Sequence, residues 1–119
     1  MYKIEIDKAR NCLFLTLEGY IDDETIKDGV EELLNEADKL ERGFTIVNDI
    51  SKFKPVSSKS VEYMKKAQRE LSKKGARRTF RVVGKSVVSK LQMDRTQKES
   101  GASYKTITVA TKEEALKAI

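Results

Sequence analysis

The chain has 119 residues, 39% of them apolar and 36% charged, which fits one soluble globular domain able to bury its own core. The single cysteine, Cys12, excludes an internal disulfide, and the lack of any histidine removes Cys/His metal sites and every nucleophile that works through an imidazole base. The net charge of +5 is uneven: residues 1–50 carry six Lys/Arg against thirteen Asp/Glu, and residues 51–119 carry eighteen against six. The second half therefore either offers a basic face to a polar partner or holds a basic solvated helix that mirrors an acidic one in the first half. No apolar run approaches the roughly 18 residues of a membrane helix. Met1–Glu5 opens as a strand rather than as a signal peptide, so no membrane span and a cytoplasmic location are expected.

Tyr2, Ile4 and Ile6 alternate with Lys3, Glu5 and Asp7, the period of a half-buried strand. Ala9–Asn11 reads as a turn, and Cys12–Leu17 as a second strand with Leu13, Leu15 and Leu17 on one face, so the two form a hairpin ended by Gly19. Asp22 or Asp23 caps a helix whose apolar stripe is Ile26, Val30, Leu33, Leu34, Ala37 and Leu40. Its outer face is acidic, with Glu24, Asp28, Glu31, Glu32 and Glu36, and Gly43 follows its end. Phe44–Ile50 is nearly continuous in apolar residues, the mark of a parallel strand buried on both faces.

Ser51–Val56 reads as a loop around Pro55. A second helix follows from Ser58 to Lys74, with Val61, Met64, Ala67 and Leu71 inside and Lys65, Lys66, Arg69, Lys73 and Lys74 outside. Thr79–Val83 is a strand, and Val87 to Glu99 a third helix, which Ser100-Gly101 breaks. Tyr104–Val109 is the last strand. Thr111 and Glu114 form a capping box that opens a short helix with Ala115, Leu116 and Ile119 inward. The order β-β-α-β-α-β-α-β-α predicts an α/β fold, a mixed, mostly parallel five-stranded sheet covered by helices, in a single domain over residues 1–119.

This order, with three local matches, resembles the STAS domain of bacterial anti-sigma-factor antagonists over essentially the whole chain. Leu17-Glu18-Gly19-Tyr20-Ile21-Asp22 is similar to that family's turn after the second strand, and Ile46-Val47-Asn48-Asp49-Ile50-Ser51 to its central strand ending in aspartate. Ser100-Gly101, the last strand and Glu113-Glu114-Ala115-Leu116 are similar to its closing segment. The family's Asp-Ser-Ser/Thr-Gly motif falls eight to eleven residues after the central aspartate, here Ser57-Ser58-Lys59-Ser60. The resemblance makes Ser58 the candidate phosphoacceptor. Ser57 replaces the motif's aspartate, and Ser60 replaces a glycine that would let a partner's backbone approach. A serine at a helix start lies near free amides and the positive end of the dipole, so a phosphate of about −1.5 to −2 charges would be stabilised there and would repel an acidic or apolar partner. The simpler reading is that Ser57 or Ser58 is an N-cap worth about 1 kcal/mol.

Other signals carry less. Gly84-Lys85-Ser86 resembles the end of a P-loop, but Thr79 stands where the first glycine belongs. Lys73, Lys74, Arg77, Arg78, Arg81 and Lys85 form a basic run with only Phe80 interleaved, short of the exposed aromatics of single-strand readers, so nucleic acid is not the expected partner. Asp7, Asp22, Asp23 and Asp49 suggest a carboxylate cluster, yet capping and loop-amide roles explain them as well, and Cys12 reads as a buried, inert thiol. No cofactor, metal or catalytic group is expected.

The sequence thus predicts a non-catalytic regulatory protein-binding module. Its surface would be loop 51–57 and the start of the second helix: Ser57, Ser58 and Ser60, with Lys65 and Arg69 along the helix and Asp22 and Asp49 on the rim. The resemblance implies a kinase-like anti-sigma factor or another signalling protein as partner. The alternative is a lipid- or small-apolar-ligand-binding domain, with a pocket between helices and sheet lined by Phe53, Tyr63, Met64 and Met93.

Overall fold

The computed structural model describes residues 1–84 and 87–119, with backbone alone for 87–90. Nine elements follow in order: β1 (Tyr2–Asp7), β2 (Cys12–Gly19), α1 (Asp23–Ala37), β3 (Thr45–Phe53), α2 (Ser58–Lys73), β4 (Arg78–Val82), α3 (Val87–Ser100), β5 (Lys105–Val109) and α4 (Lys112–Ala118). The sheet is mixed and five-stranded, in the order β1-β2-β3-β4-β5; β1 and β2 are antiparallel and every later pair is parallel. The α/β architecture and the element order agree with the expectation from sequence. Among the described residues no helix is long and apolar enough to cross a membrane.

The hairpin turns on Asn11, whose φ of +50° is the left-handed conformation that asparagine tolerates. Its side chain then bridges to the connection after α1, donating to the Glu41 carbonyl at 3.0 Å and accepting from the Glu41 amide at 2.9 Å. One residue thereby fixes the hairpin against the entry to β3.

The strand order advances by one position at each parallel crossover. Right-handed connections that all step the same way place their helices on the same face. Accordingly α1, α2 and α3 cover the face of Leu13, Leu17, Ile46, Ile50 and Phe53, which forms the larger core. The seven-residue α4 packs on the other face, over Cys12, Val47, Phe80 and Val82. That face is completed by cations over rings: Arg10 and Lys112 lie 5.9 and 5.5 Å from the Phe14 ring centre, and Arg78 lies 5.0 Å from that of Phe80. Cys12 is fully buried there, and burial pushes its thiol up to about 11.

Several boundaries and faces differ from those expected. α1 stops at Ala37, so Leu40 packs on the core from the connection that follows. β3 runs on to Phe53, because past an irregularity in register it continues to pair with Glu18 and Gly19 of β2; the loop is 54–57 rather than 51–56. On α2 the buried positions are Ser60, Met64, Ala67, Gln68 and Leu71; Val61 is half-buried toward α3, and Gln68 holds a core position that its polarity concealed.

Truncating Leu13, fully buried at the centre of the larger core, is expected to cost about 3 kcal/mol in Leu13→Ala, read as a lower urea midpoint at unchanged slope. Leu91→Ala, at a side chain 61% exposed, is expected to stay within about 0.5 kcal/mol of wild type.

Candidate functional site

Parallel strands send their following helices off from the carboxyl edge of the sheet, and the starts of α1 and α2 meet there. Asp22 is the N-cap of α1; Oδ1 accepts from the Thr25 amide at 2.8 Å, and bonds from the Thr25 side chain and amide hold the carboxyl below the ordinary carboxylate range. Ser57 is the N-cap of α2, its Oγ accepting from the Ser60 amide at 3.2 Å. Of the alternatives Ser57 and Ser58, the cap is therefore Ser57, and Ser58 is the first helical residue.

Asp23 joins the two starts. Its Oδ1 accepts from the Ser57 hydroxyl and, at 2.6 Å, from the Ser60 hydroxyl. These bonds, Ser57 first and Ser60 second, hold the Asp23 carboxyl below its ordinary value. A carboxylate between two helix N-termini also faces two positive dipole ends. Ser60 is fully buried and turned inward. It neither blocks a partner's approach nor offers a side chain to one, so the substitution for glycine is absorbed inside the fold. Ser58, by contrast, is exposed, and its hydroxyl has no bond among the described residues.

Ser58, Glu62, Lys65 and Arg69 recur at i, i+4, i+7 and i+11, one stripe along α2. Ser58, Glu62 and Lys65 line a groove of about 290 Å³ against Gln92, Arg95 and Glu99 of α3. Lys65, expected on the solvated face, is instead the bridge of this seam. It pairs with Glu99 at 2.7 Å and Glu62 at 3.2 Å; Glu99 and then Glu62 raise its pKa, and Lys65 in turn lowers that of Glu99. Arg69 is exposed, about 16 Å along the helix axis from Ser58.

Asp49 is not part of this constellation. Strand alternation puts it on the face of Val47, away from α1 and α2, where its Oδ1 accepts from the Ser51 amide at 3.0 Å and the Ser51 hydroxyl at 2.6 Å. No three of the aspartates Asp7, Asp22, Asp23 and Asp49 come together among the described residues, and Asp7 is paired to Arg10 at 2.8 Å. The basic run is dispersed too. Lys74 pairs with Asp38 and Lys73 with Glu70, Arg78 covers Phe80, and Arg81 is buried beneath α3. Lys85 and Ser86, and with them the P-loop-like segment, lie outside the described residues.

Tyr20, in sequence only a member of the turn after β2, stands on the rim with 75% of its surface exposed. It follows Gly19, whose carbonyl accepts from the Lys54 amide at 3.1 Å, so it adjoins the loop leading to Ser58. Its sequence signal was a large aromatic between a strand-ending glycine and a helix cap, where no alternating pattern assigns it to the core.

No family model matches the chain, and no curated protein matches it in sequence. Its fold is similar to that of the Bacillus cell fate determinant SpoIIAA, solved in the phosphorylated form, with a TM-score of 0.61 over 99% of this chain and 98% of that one at 17% identity. At that identity the likeness is one of fold.

The Asp23 junction has a defined pH signature. A carboxyl with a lowered folded pKa stabilises fully above its unfolded value, near 3.8, and that stabilisation is lost as pH falls through the lower folded value. Melting curves from pH 6 down to pH 2 are expected to show a shallower acid-side fall in Tm for Asp23→Asn than for wild type, with the variant already less stable at pH 6.

Proposed function

We propose that the chain is a non-catalytic regulatory module that docks a protein partner on the carboxyl-edge rim, and that phosphorylation of Ser58 switches docking off. One observation carries this reading. Of the three serines at the start of α2, two are spent on Asp23, while Ser58 stands exposed and unbonded among the described residues, on a rim that also carries the bare ring of Tyr20. Exposed aromatics are frequent anchors of protein interfaces. A phosphoryl group on Ser58 would sit over the unsatisfied first amides of α2, which favour negative charge, and would change the rim's charge without moving the scaffold. The likeness to a protein whose solved form is phosphorylated supports the reading at the level of the fold. The partner would be a kinase-like anti-sigma factor or another signalling protein of the same kind.

The test is affinity capture from the native lysate, quantified by mass spectrometry, with wild type, Ser58→Ala, Ser58→Asp and Tyr20→Ala as baits. A partner held by wild type and Ser58→Ala and at least tenfold depleted on Ser58→Asp is the expected result, with phosphate recovered on Ser58 from cells. Tyr20→Ala is expected to lose the same partner with Tm unchanged. Equal retention by all four baits would remove both Ser58 and Tyr20 from the interface.

A further inference from the structure

The space that α1 and α2 enclose over the sheet is not filled by side chains. A cavity of about 70 Å³ lies at mid-sheet, its wall largely apolar and including Leu15, Ile46, Met64 and Met93. The two methionines are the ones expected to line a pocket. Phe53 and Tyr63 do not reach it: Phe53 lies at the far end of β3 beyond the irregularity, and Tyr63 lies off the inward stripe of α2.

Four polar residues are among those around it. Asn48 and Arg81 face each other across β3 and β4, Thr79 lies two residues before Arg81 on the same face, and Gln68 belongs to α2. Each of the four is more than nine-tenths buried. Each also has an atom with no hydrogen-bond partner among the described residues: Asn48 Oδ1, Gln68 Oε1, Thr79 Oγ1 and Arg81 Nε. The Tyr104 hydroxyl lies beside Thr79, and burial pushes it up to about 12, so it stays neutral.

The inventory of these atoms defines a complement. Arg81 Nε only donates, the two amide oxygens only accept, and the threonine hydroxyl does either. A group that fits them must both accept and donate. A carboxylate would bring a second negative charge to a guanidinium whose charge is already met by Asp94, with Gln97 accepting from its other terminal nitrogen at 2.9 Å. A primary carboxamide fits: its oxygen accepts from the guanidinium while its two N–H groups serve the oxygens of Asn48 and Gln68. A hydroxyl fits less completely.

The volume sets the rest of the ligand. At about 70 Å³ it is small beside an acyl chain, so the ligand it favours is a small one. Rotation of the unbranched Met64 and Met93 side chains widens it by a few atoms at small cost. We propose that the cavity binds a small neutral carboxamide with a short, branched apolar body, the amide on the polar cluster and the body against the methionines. The proposal is independent of the rim reading, since the residues used do not overlap.

Isobutyramide is the probe, titrated into the full chain and followed by the methyl resonances of Met64 and Met93, with isobutyrate and xenon as comparisons. Saturable shifts with isobutyramide, at least tenfold weaker response to isobutyrate, and xenon entry are expected. In Gln68→Leu, which removes one free acceptor and fills part of the space, isobutyramide affinity is expected to fall at least tenfold with Tm not lowered. No saturable response to isobutyramide overturns the proposal, and so does a crystal soaked in it that shows only water at the four polar atoms. An equal response to isobutyrate overturns the assignment to a neutral group.

Discussion

The fold depends on β3 being buried on both faces. Ile46, Ile50 and Phe53 belong to one core and Val47 to the other, and Thr45 is buried as well. A slip of one residue in its register would exchange the two sets. Such a strand must lie inside a sheet and be covered from both sides, and it acquires parallel neighbours because the chain returns to it through helices. The cover is unequal by necessity: since all crossovers step one way, right-handedness sends α1, α2 and α3 to one face and leaves the other to the short terminal helix. The thinly covered face is then finished with arginine and lysine over Phe14 and Phe80, which shield rings while keeping their charge in water.

The same constraint creates the rim. With three helices on one face of a parallel sheet, the starts of α1 and α2 come to lie side by side with their positive ends together. Asp23 answers both with one carboxylate and immobilises Ser57 and Ser60 in doing so. Ser58, one residue into the helix, and Tyr20, before the α1 cap, stay exposed beside it. A phosphoryl group at such a place would act by charge and not by movement, because the scaffold beneath it is already tied.

Element order was legible because alternation in β1 and β2 and the helical stripe of α1 are strong, single-period signals. The STAS resemblance was carried by the same order and is met at the level of fold. Boundaries were less legible where pairing overrode composition: Ser51 and Lys52 read as loop, yet β2 continues beside them and draws them into β3. Side-chain roles were least legible. Lys65 looked solvated because its partner Glu99 lies 34 positions on, on another helix. Asp49 looked like a rim residue because its strand ends there, but alternation sends it to the opposite face. Arg81 looked like one more member of a basic run, although its neighbours on β4 point the other way. In each case the deciding fact is a contact across the sheet or between helices, to which local periodicity is blind.

Arg81 also shows why the mid-sheet cavity matters. A buried guanidinium is desolvated, which lowers its pKa, and it is retained here with Asp94 and Gln97 meeting its terminal nitrogens while Nε has no partner among the described residues. Leaving a buried polar atom bare costs about 1–3 kcal/mol. Four of them at such a cost would offset much of the roughly 5–15 kcal/mol by which a domain of this kind is stable. Apolar residues of the same volume at Asn48, Gln68 and Thr79 would avoid that cost, as replacement of buried polar clusters elsewhere indicates. The cluster therefore makes physical sense with a polar guest. Water would satisfy the four atoms and leave the apolar remainder of the wall dry and unfilled. A guest with a polar head and an apolar body satisfies both, and that is the chemistry the cavity's mixed lining describes.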